Sequence, residues 1–229
     1  MAIILSIETS TSICSVALHK NGDLIGLREI EETGAHAQKL MGLIDSLLAD
    51  QKLDTKELSA IAVSEGPGSY TGLRIGVSTA KGLAFSSSLP LIGVGALRAL
   101  ALGAKHQVGH QGLIVSMLDA RRMEVYREIF DSDLNITSPI EAEIINESSF
   151  QNQLEKGKVY FVGDAIDKVS QVISHANANF LRIAVSADLI GKEAFVKYQN
   201  QEFESLAYFV PNYLKEFKAL HSKKNLLFS

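Results

Sequence analysis

The sequence has one cysteine, Cys14, no tryptophan and only four prolines among its 229 residues. A single cysteine excludes an internal disulfide framework and fits a reducing compartment, and we interpret Cys14 as a small buried hydrophobic residue. Because hydrophobic residues make up 46% of the chain without tryptophan, the core must be mainly aliphatic. The length fits one large domain or two small ones.

Basic charge is not in excess, because 22 Lys and Arg face 26 Asp and Glu, giving a net charge of -4. No overall basic field therefore indicates a nucleic-acid-binding protein, and any such contact would be local or made through a partner. The first residues, MAIILSIETS, lack a positive region, and Ser6 and Glu8 interrupt a short apolar run. We expect neither a signal peptide nor a membrane span there, and a cytoplasmic location.

Two segments of the chain repeat one plan. IILSIETSTSICSVAL and LIVSMLDARRMEVYREI each contain a buried strand, an acid at its carboxyl end, a short polar loop and a returning strand. Helical and strand periodicities follow each copy, and those after the second copy are shorter. This duplication predicts an α/β fold of the actin, Hsp70 and sugar-kinase class, with two lobes of which the second is reduced.

The predicted lobe boundary lies near Gly109. Residues 1–108 form the first lobe and residues 109–202 the second, reduced lobe, and a C-terminal helix with a break, 203–229, joins the first. Asn21-Gly22 predicts a tight hairpin, and Asp54 with Glu57 has the form of a capping box. Lysines toward the C-terminus, including Lys215 and Lys224, are interpreted as a solvated helix end rather than an RNA site.

The most unusual stretch is 64–81, SEGPGSYTGLRIGVSTAK, which has four glycines within eleven residues. Its pattern predicts a strand, a sharp glycine turn and a helix capped by Ser69 or Thr71. Such a turn can cradle a phosphate, but its spacing is one residue too long for G-x-G-x-x-G, and Gly72 is followed by Leu73 and Arg74 rather than by a P-loop lysine. Phosphate binding is therefore disfavoured here.

The helix in this stretch carries small residues on one face. Gly72, Gly76 and Ala80 are four residues apart, and each internal glycine costs about 1 kcal/mol relative to alanine. A flat face lets another helix approach closely. That helix can belong to the same chain or to another subunit, and the residues alone leave both possibilities open.

Few residues suggest catalysis. The loop of Glu8, Thr9, Ser10 and Thr11 lies where the actin-like class holds phosphate, and Glu8 with Asp119 could hold Mg²⁺ through water. A capped hairpin turn explains the same loop. His106 and His110 have zinc-like spacing, but glycines end the helix between them and no third ligand is near. The sequence contains no convincing catalytic constellation and no predicted metal site.

Four motifs carry a resemblance to a known family: ILSIETS, GPGSYTGLRIGVSTAKGLA, DARRMEVY and PNYLK. In order and approximate spacing they resemble the bacterial tRNA threonylcarbamoyladenosine biosynthesis family TsaB, also called YeaZ. The resemblance covers nearly the whole chain, and the glycine block is its most specific part. It departs from the family at Glu8, where aspartate is usual, and at Lys215, where arginine is common.

The resemblance implies a noncatalytic accessory subunit with an actin-like fold. Such a subunit pairs with TsaD, which transfers threonylcarbamoyl to adenosine 37 of tRNAs that read codons beginning with A, and the ATPase TsaE joins the pair. A metal-binding histidine pair of TsaD-like proteins corresponds here to His36 and Leu40, so the second histidine is absent. ATP and metal are expected on the partner subunits, tRNA is met only through the complex, and no cofactor is expected on this chain alone.

The implied partner interface lies on the helices of the first lobe, and a homodimer would use the same face. Its residues are Gly66, Pro67, Gly68, Ser69, Tyr70, Thr71, Gly72, Arg74, Ile75, Gly76, Thr79, Lys81 and His36, and Gly76→Arg is expected to abolish pairing without unfolding the chain. The loop of Glu8, Thr9, Ser10, Thr11 and Asp119 would be a vestigial nucleotide loop. An independent actin-like ATPase or phosphotransferase is the main alternative function, and a zinc peptidase is a third.

Overall fold

The computed structural model describes residues 1–32, 34–109 and 111–214. Two five-stranded mixed sheets form its framework. The first has the order β3-β2-β1-β4-β5, and its strands are β1 (Ile3–Glu8), β2 (Ile13–Lys20), β3 (Asp23–Glu31), β4 (Ala60–Gly66) and β5 (Leu91–Gly95). The second has the order β10-β9-β6-β7-β8, and its strands are β6 (Leu113–Asp119), β7 (Glu124–Phe130), β8 (Ile136–Ile144), β9 (Val159–Val162) and β10 (Ala178–Leu181).

Both sheets follow the same plan, as the duplicated sequence predicts. In each, the first strand pairs antiparallel with the second and parallel with the fourth. The long helices belong to the first copy, because α1 (His36–Gln51) and α2 (Tyr70–Ser87) correspond to the short α4 (Gln151–Lys156) and α5 (Ile166–Val169) of the second. The second lobe is therefore reduced, as expected.

Strand β1 is buried along its whole length because helices cover both faces of the first sheet. Leu5 and Ile7 pack with apolar side chains of α1 and α2, whereas Ile4 faces the opposite side. That opposite side is covered by α3 (Ala96–Val108) and α6 (Ala187–Gln199). A strand buried on both faces is a near-continuous apolar run, which is the pattern of IILSI.

The two lobes share a hydrophobic core. Helix α3 contacts β4 and β5 of the first sheet as well as β6, β7 and β9 of the second. Its Leu97 and Leu100 lie in a single buried cluster with Ile92 of the first sheet and Phe130 and Val162 of the second. Apolar packing therefore couples the lobes directly through α3.

The predicted lobe boundaries need two corrections. Helix α6, assigned above to the second lobe, packs on β1, β2 and β5 of the first sheet, because its apolar side chains complete the core on that face. Residues 203–214 are not helical. They form a strap without helix, in which Glu204 pairs with Leu91 and a single turn follows at residues 206–208, so the predicted helix is wrong over this range. The predicted helix over 215–229, with its lysines, lies outside the described residues.

Several local predictions are confirmed. Asn21 and Gly22 both adopt positive φ at the β2–β3 turn, which is the geometry of a tight hairpin. Asp54 and Glu57 form the predicted capping box around a 3-10 turn at Thr55–Glu57. Of the two candidate caps of α2, Ser69 performs the role, because its hydroxyl accepts a hydrogen bond from the Gly72 backbone amide at 3.2 Å. Strand β10 was not predicted.

Candidate functional site: the cleft between the lobes and the exposed face of α2

A cleft of about 1380 Å³ opens between the lobes at the carboxyl ends of β1 and β6. Its first-lobe wall contains the β1–β2 loop, His36 at the start of α1, and the glycine turn with the start of α2, and its second-lobe wall contains Asp119, Arg121, Tyr126 and Asp164. The strap, residues 203–214, reaches the mouth of the cleft with Asn212, Tyr213 and Leu214. In a duplicated actin-like fold this is where a ligand between the lobes would lie.

The glycine stretch packs against the β1–β2 loop of its own chain. A Cβ atom at Gly68 would lie 2.3 Å from the Ser10 carbonyl oxygen, and one at Gly72 would lie 2.1 Å from the Thr9 carbonyl oxygen. At Gly76 the Cβ would lie 2.2 Å from Thr9 Oγ1. No side chain fits at these contacts, so glycine is required there by packing within the chain.

Hydrogen bonds close the same contact. The Ser69 amide donates to the Ser10 carbonyl oxygen at 2.7 Å, and Thr9 Oγ1 donates to the Gly72 carbonyl oxygen at 2.8 Å. Gly72, Gly76 and Ala80 are consequently buried. Of the two possibilities left open for these residues, packing within the chain is the one observed, because the small-residue face is occupied by Thr9 and the strands of the first sheet. Gly72 and Gly76, which the family resemblance placed in the partner interface, therefore do not face a partner. Gly76→Arg would therefore disturb the fold itself.

Glu8 lies beneath this loop and is fully buried. Its Oε1 accepts a hydrogen bond from the Ser10 amide, and the hydroxyls of Ser10 and Ser64 lie beside the carboxyl group. Burial raises the pKa of Glu8, although these hydrogen bonds oppose the shift. Asp119 lines the cleft and Glu8 does not, so the two carboxylates do not share one wall of it.

Asp119, in contrast, is exposed at the end of β6, and its hydrogen bonds are to residues of the second lobe. Its Oδ1 accepts hydrogen bonds from Lys168 Nζ at 2.5 Å and from the Arg121 amide at 2.7 Å, while its own amide donates to Asp164. Within the described residues no group of three or more His, Cys, Asp or Glu side chains could hold a metal ion. His110, one of the two zinc-spaced histidines, lies outside those residues.

His36 also holds the β1–β2 loop. Its side chain is buried at the start of α1, and Nε2 lies 3.1 Å from the Thr11 carbonyl oxygen. Leu40, at the position of the missing second histidine, belongs to the core between α1, α2 and the first sheet. His36 therefore supports the loop and also lines the cleft, whereas Leu40 supports the core.

The strap covers part of α2. Lys81 Nζ donates to the Phe209 carbonyl oxygen at 2.9 Å, and Arg74 Nε donates to the Tyr213 hydroxyl at 3.2 Å. The Arg74 guanidinium lies 4.0 Å from the centre of the Tyr70 ring, which in turn packs 4.8 Å from the Tyr213 ring. Arg74 and Lys81, predicted to contact a partner, thus contact the strap of their own chain. The contact of Tyr213 with α2 was not predicted, and its place in the PNYLK motif is the only signal for it in the sequence.

The predicted interface residues divide by exposure. Ser69, Thr71 and Arg74 are exposed, and five are half-buried: Gly68, Tyr70, Ile75, Thr79 and Lys81. Five are buried: Gly66, Pro67, Gly72, Gly76 and His36. Farther along α2, the outward positions are Ser78, Gly82 and Phe85, and the Phe85 side chain is 79% exposed. We call the exposed stripe of Thr71, Ser78, Gly82 and Phe85 the outer face of α2.

No helix within the described ranges 1–32, 34–109 and 111–214 has both the length and the apolar character needed to cross a membrane. The cleft and the outer face of α2 are the two candidate sites, and Thr71 belongs to both.

Comparison with known proteins gives the family. The family model described as TsaD, tRNA N6-adenosine threonylcarbamoyltransferase, matches residues 31–228. The tRNA threonylcarbamoyladenosine biosynthesis protein TsaB of Haemophilus influenzae is 32% identical over 73% of this chain and 74% of its own length. TsaB of Escherichia coli is 36% identical, but the match covers 58% of this chain and only 56% of that protein.

Solved structures agree with this assignment. YeaZ from Pseudomonas aeruginosa superimposes with a TM-score of 0.81 at 25% identity, covering 93% of this chain and all of that one. The activator of 2-hydroxyisocaproyl-CoA dehydratase from Clostridium difficile, solved with bound ADPNP, superimposes with a TM-score of 0.53 at 12% identity, covering 89% of this chain and 98% of that one. The second likeness concerns the fold alone, and the predicted actin-like class is confirmed. The chain therefore belongs to the family that the TsaD model describes and, within it, to the proteins named TsaB or YeaZ.

Proposed function

We propose that this chain is a noncatalytic accessory subunit in the threonylcarbamoylation of adenosine 37 of tRNAs that read codons beginning with A. It pairs with a TsaD-class transferase and supports the binding of the ATPase TsaE. ATP and metal belong to those partners, the complex works in the cytoplasm, and a homodimer of the free chain would use the same face. Family membership supports the pathway, and the geometry of the chain supports the accessory role.

The observation that carries the accessory role is the burial of Glu8. A loop that holds a nucleotide with its Mg²⁺ needs a carboxylate that can reach the metal. Here the Glu8 carboxyl group points under its own loop and is fully buried. The carbonyl oxygens of Thr9 and Ser10 meet the glycines of α2, so the loop is closed against its own chain.

The outer face of α2 is the surface that we assign to the TsaD-class partner. Helices α1 and α2 pack side by side on one face of the first sheet, and each leaves apolar side chains exposed, Met41 on α1 and Phe85 on α2. Aromatic residues and methionine are enriched at protein interfaces. The buried glycines of α2 act indirectly, because they set how closely the helix lies on the first lobe.

Gly82→Arg tests this assignment. A Cβ atom at Gly82 meets nothing within 4 Å, so a long charged side chain is expected to leave the fold intact while obstructing the outer face. The matched control is Gly157→Arg, which also meets nothing within 4 Å but lies in the second lobe. We expect Gly82→Arg to reduce co-purification with the TsaD-class partner at least tenfold, and Gly157→Arg to leave it unchanged. Equal yields for both variants would contradict the assignment.

The cleft between the lobes favours one alternative, an actin-like ATPase or phosphotransferase that acts alone. Its volume of about 1380 Å³ is large enough for a nucleotide. Calorimetry and a phosphate-release assay on the isolated chain separate the two functions. Micromolar ATP affinity with turnover would overturn the accessory role, and stoichiometric zinc in the purified protein would instead favour the peptidase alternative.

A further inference from the structure

The turn between β6 and β7 has two consecutive arginines in a strained conformation. Arg121 has a φ of 71° and Arg122 a φ of 51°, which is the left-handed region that β-carbon sterics disfavour for most side chains. Asn and Gly adopt such angles at little conformational cost, as Asn21 and Gly22 do in the β2–β3 hairpin, whereas the loop of the first lobe that corresponds to this turn, between β1 and β2, has no residue with positive φ. The second lobe therefore retains two arginines where Asn or Gly would be easier to accommodate.

The backbone of this turn is firmly held. The Arg121 amide donates to Asp119 Oδ1 at 2.7 Å, and the Glu124 amide donates to the Arg121 carbonyl oxygen at 3.1 Å. Lys168 Nζ donates to the Arg122 carbonyl oxygen at 2.8 Å and also to Asp119. The nearby acidic group is thus used to fix the main chain of the turn and to pair with Lys168.

The two guanidinium groups are left outside this network. Both arginines are exposed, and neither side chain makes a hydrogen bond or an ion pair with another residue in the described part of the chain. The other described arginines are all engaged: Arg28, Arg98, Arg127 and Arg182 pair with carboxylates, and Arg74 bonds to two tyrosines. Because the two side chains are unpaired, no hydrogen bond or ion pair of theirs within the described residues offsets the strain of the turn. Backbone strain of this kind typically occurs at functional sites.

The position of the turn indicates an anionic ligand. Arg121 lies in the cleft wall with the hydroxyl-bearing Ser12, Ser69 and Thr71 of the first lobe. The same wall contains the carboxylates of Asp119, Glu124 and Asp164, of which Asp119 is paired with Lys168 and Asp164 accepts the Asp119 amide. Guanidinium groups bind phosphate oxygens through paired hydrogen bonds, and hydroxyl groups are common additional donors to phosphate. On a chain with a net charge of -4, an attraction for phosphate must come from such a local feature.

We propose that Arg121 and Arg122 form a phosphate-binding tip that contacts the sugar-phosphate backbone of the RNA handled by the complex. This inference rests on the proposed function, because it needs an RNA substrate. A backbone phosphate fits better than a free nucleotide, since both arginines are exposed, Arg121 but not Arg122 lines the cleft, and the Thr9–Ser10 loop is closed. The chain thereby contributes its own RNA contact in addition to holding the partner.

The test is tRNA binding by the assembled complex, measured by fluorescence anisotropy over a series of salt concentrations. Arg121→Asn with Arg122→Asn removes both charges while keeping side chains that tolerate positive φ, so the fold is expected to persist with an unchanged or higher Tm. We expect about tenfold weaker tRNA binding at moderate salt and a log K against log salt slope reduced by about 1 to 2. The matched control is Arg182→Ala, which removes an exposed second-lobe arginine paired with Asp167.

The outcomes separate this inference from the proposed function. If the wild-type chain does not assemble with its partner, the proposed function fails first. If the complex assembles and the double variant binds tRNA with unchanged affinity and slope, only the arginine tip is refuted. Weaker co-purification at unchanged tRNA affinity would assign the arginines to the partner protein, and a loss of MgATP or inorganic phosphate binding alone would assign them to a small anion. Either result overturns the RNA contact.

Discussion

At the residue scale, the glycines of α2 show how one residue type can have different causes at neighbouring positions. Gly76 is required because its missing side chain makes room for Thr9, whereas Gly82 of the same helix faces open space. The sequence pattern of small residues four apart is the same whether those residues face their own chain or open space. Only the neighbour that fills the space distinguishes an internal contact from an external one.

We predict opposite effects for alanine at these two positions. Gly76→Ala is expected to lower the free energy of unfolding by about 2 to 4 kcal/mol, because the new methyl group would overlap Thr9 Oγ1 and force the loop or the helix to move. Gly82→Ala should raise it by up to about 1 kcal/mol, since alanine is the better helix former. Urea unfolding of both variants measures the difference. A neutral Gly76→Ala would mean that the α2 contact with Thr9 is not tight.

Glu8 is the second informative residue. Its burial reflects the contact between the β1–β2 loop and α2, since Thr9 bonds to Gly72, 63 residues away in sequence. The sequence places an acid at the end of β1 but contains no sign of whether the carboxyl group faces the cleft or the interior. That choice distinguishes a nucleotide-binding loop from a structural one.

At the element scale, the strap ties the end of the described chain to the first lobe. Phe209 is buried against Gly93, and the Asn212 amide donates to the Glu65 carbonyl oxygen at 2.8 Å. The same segment holds Tyr213 against Tyr70 and Arg74 at the start of α2. The strap therefore supports α2, the helix that we assign to the partner.

Phe209 and its neighbour Tyr208 offer a matched pair for testing the strap. Phe209→Ala removes a buried ring and is expected to cost about 3 to 5 kcal/mol of unfolding free energy, or less if the strap detaches from the first lobe as a local event. Tyr208 is 85% exposed, so Tyr208→Ala should change the free energy of unfolding by less than about 0.5 kcal/mol. Thermal and urea unfolding compare the two. Equal effects would contradict the buried position of Phe209.

At the scale of the whole molecule, α3 makes the two lobes one packing unit. Its apolar side chains contact both sheets in a continuous core, so separating the lobes would expose that core to water. An apolar core across the lobes opposes a change in the angle between them, because such a change would disrupt its packing. This rigidity suits a subunit that presents a fixed surface to a partner.

The shared core predicts that the chain unfolds as one cooperative unit. Leu154→Ala removes a buried side chain in the outer core of the second lobe and should cost about 2 to 4 kcal/mol. If the lobes are coupled, the free energy of opening measured at the slowest-exchanging amides of β1, in the first sheet, should fall by the same amount. Native-state hydrogen exchange measures this. Unchanged protection in β1 would show that the lobes unfold independently.

Much of the fold could be predicted from the sequence because its signals are local. Asn21-Gly22, the capping box at Asp54 and the buried run of β1 each act within a few residues, and the repeat of IILSIETS in LIVSMLDA exposes the duplication. The predictions that failed concern α6 and the strap. Their apolar spacing is compatible with either lobe and, for 203–214, with either a helix or a strap without helix packed on β5.

The sequence by itself determined the actin-like plan, the glycine turn and the motifs of the family. Tertiary structure decided what those glycines face, where the Glu8 carboxyl group lies and which arginines remain unpaired. The physical reason is that local conformation depends on the nearest residues, whereas burial and pairing depend on contacts between distant segments. In this chain α2 meets the β1–β2 loop, and a single contact of that kind converts a predicted ligand loop into a support for the helix beside it.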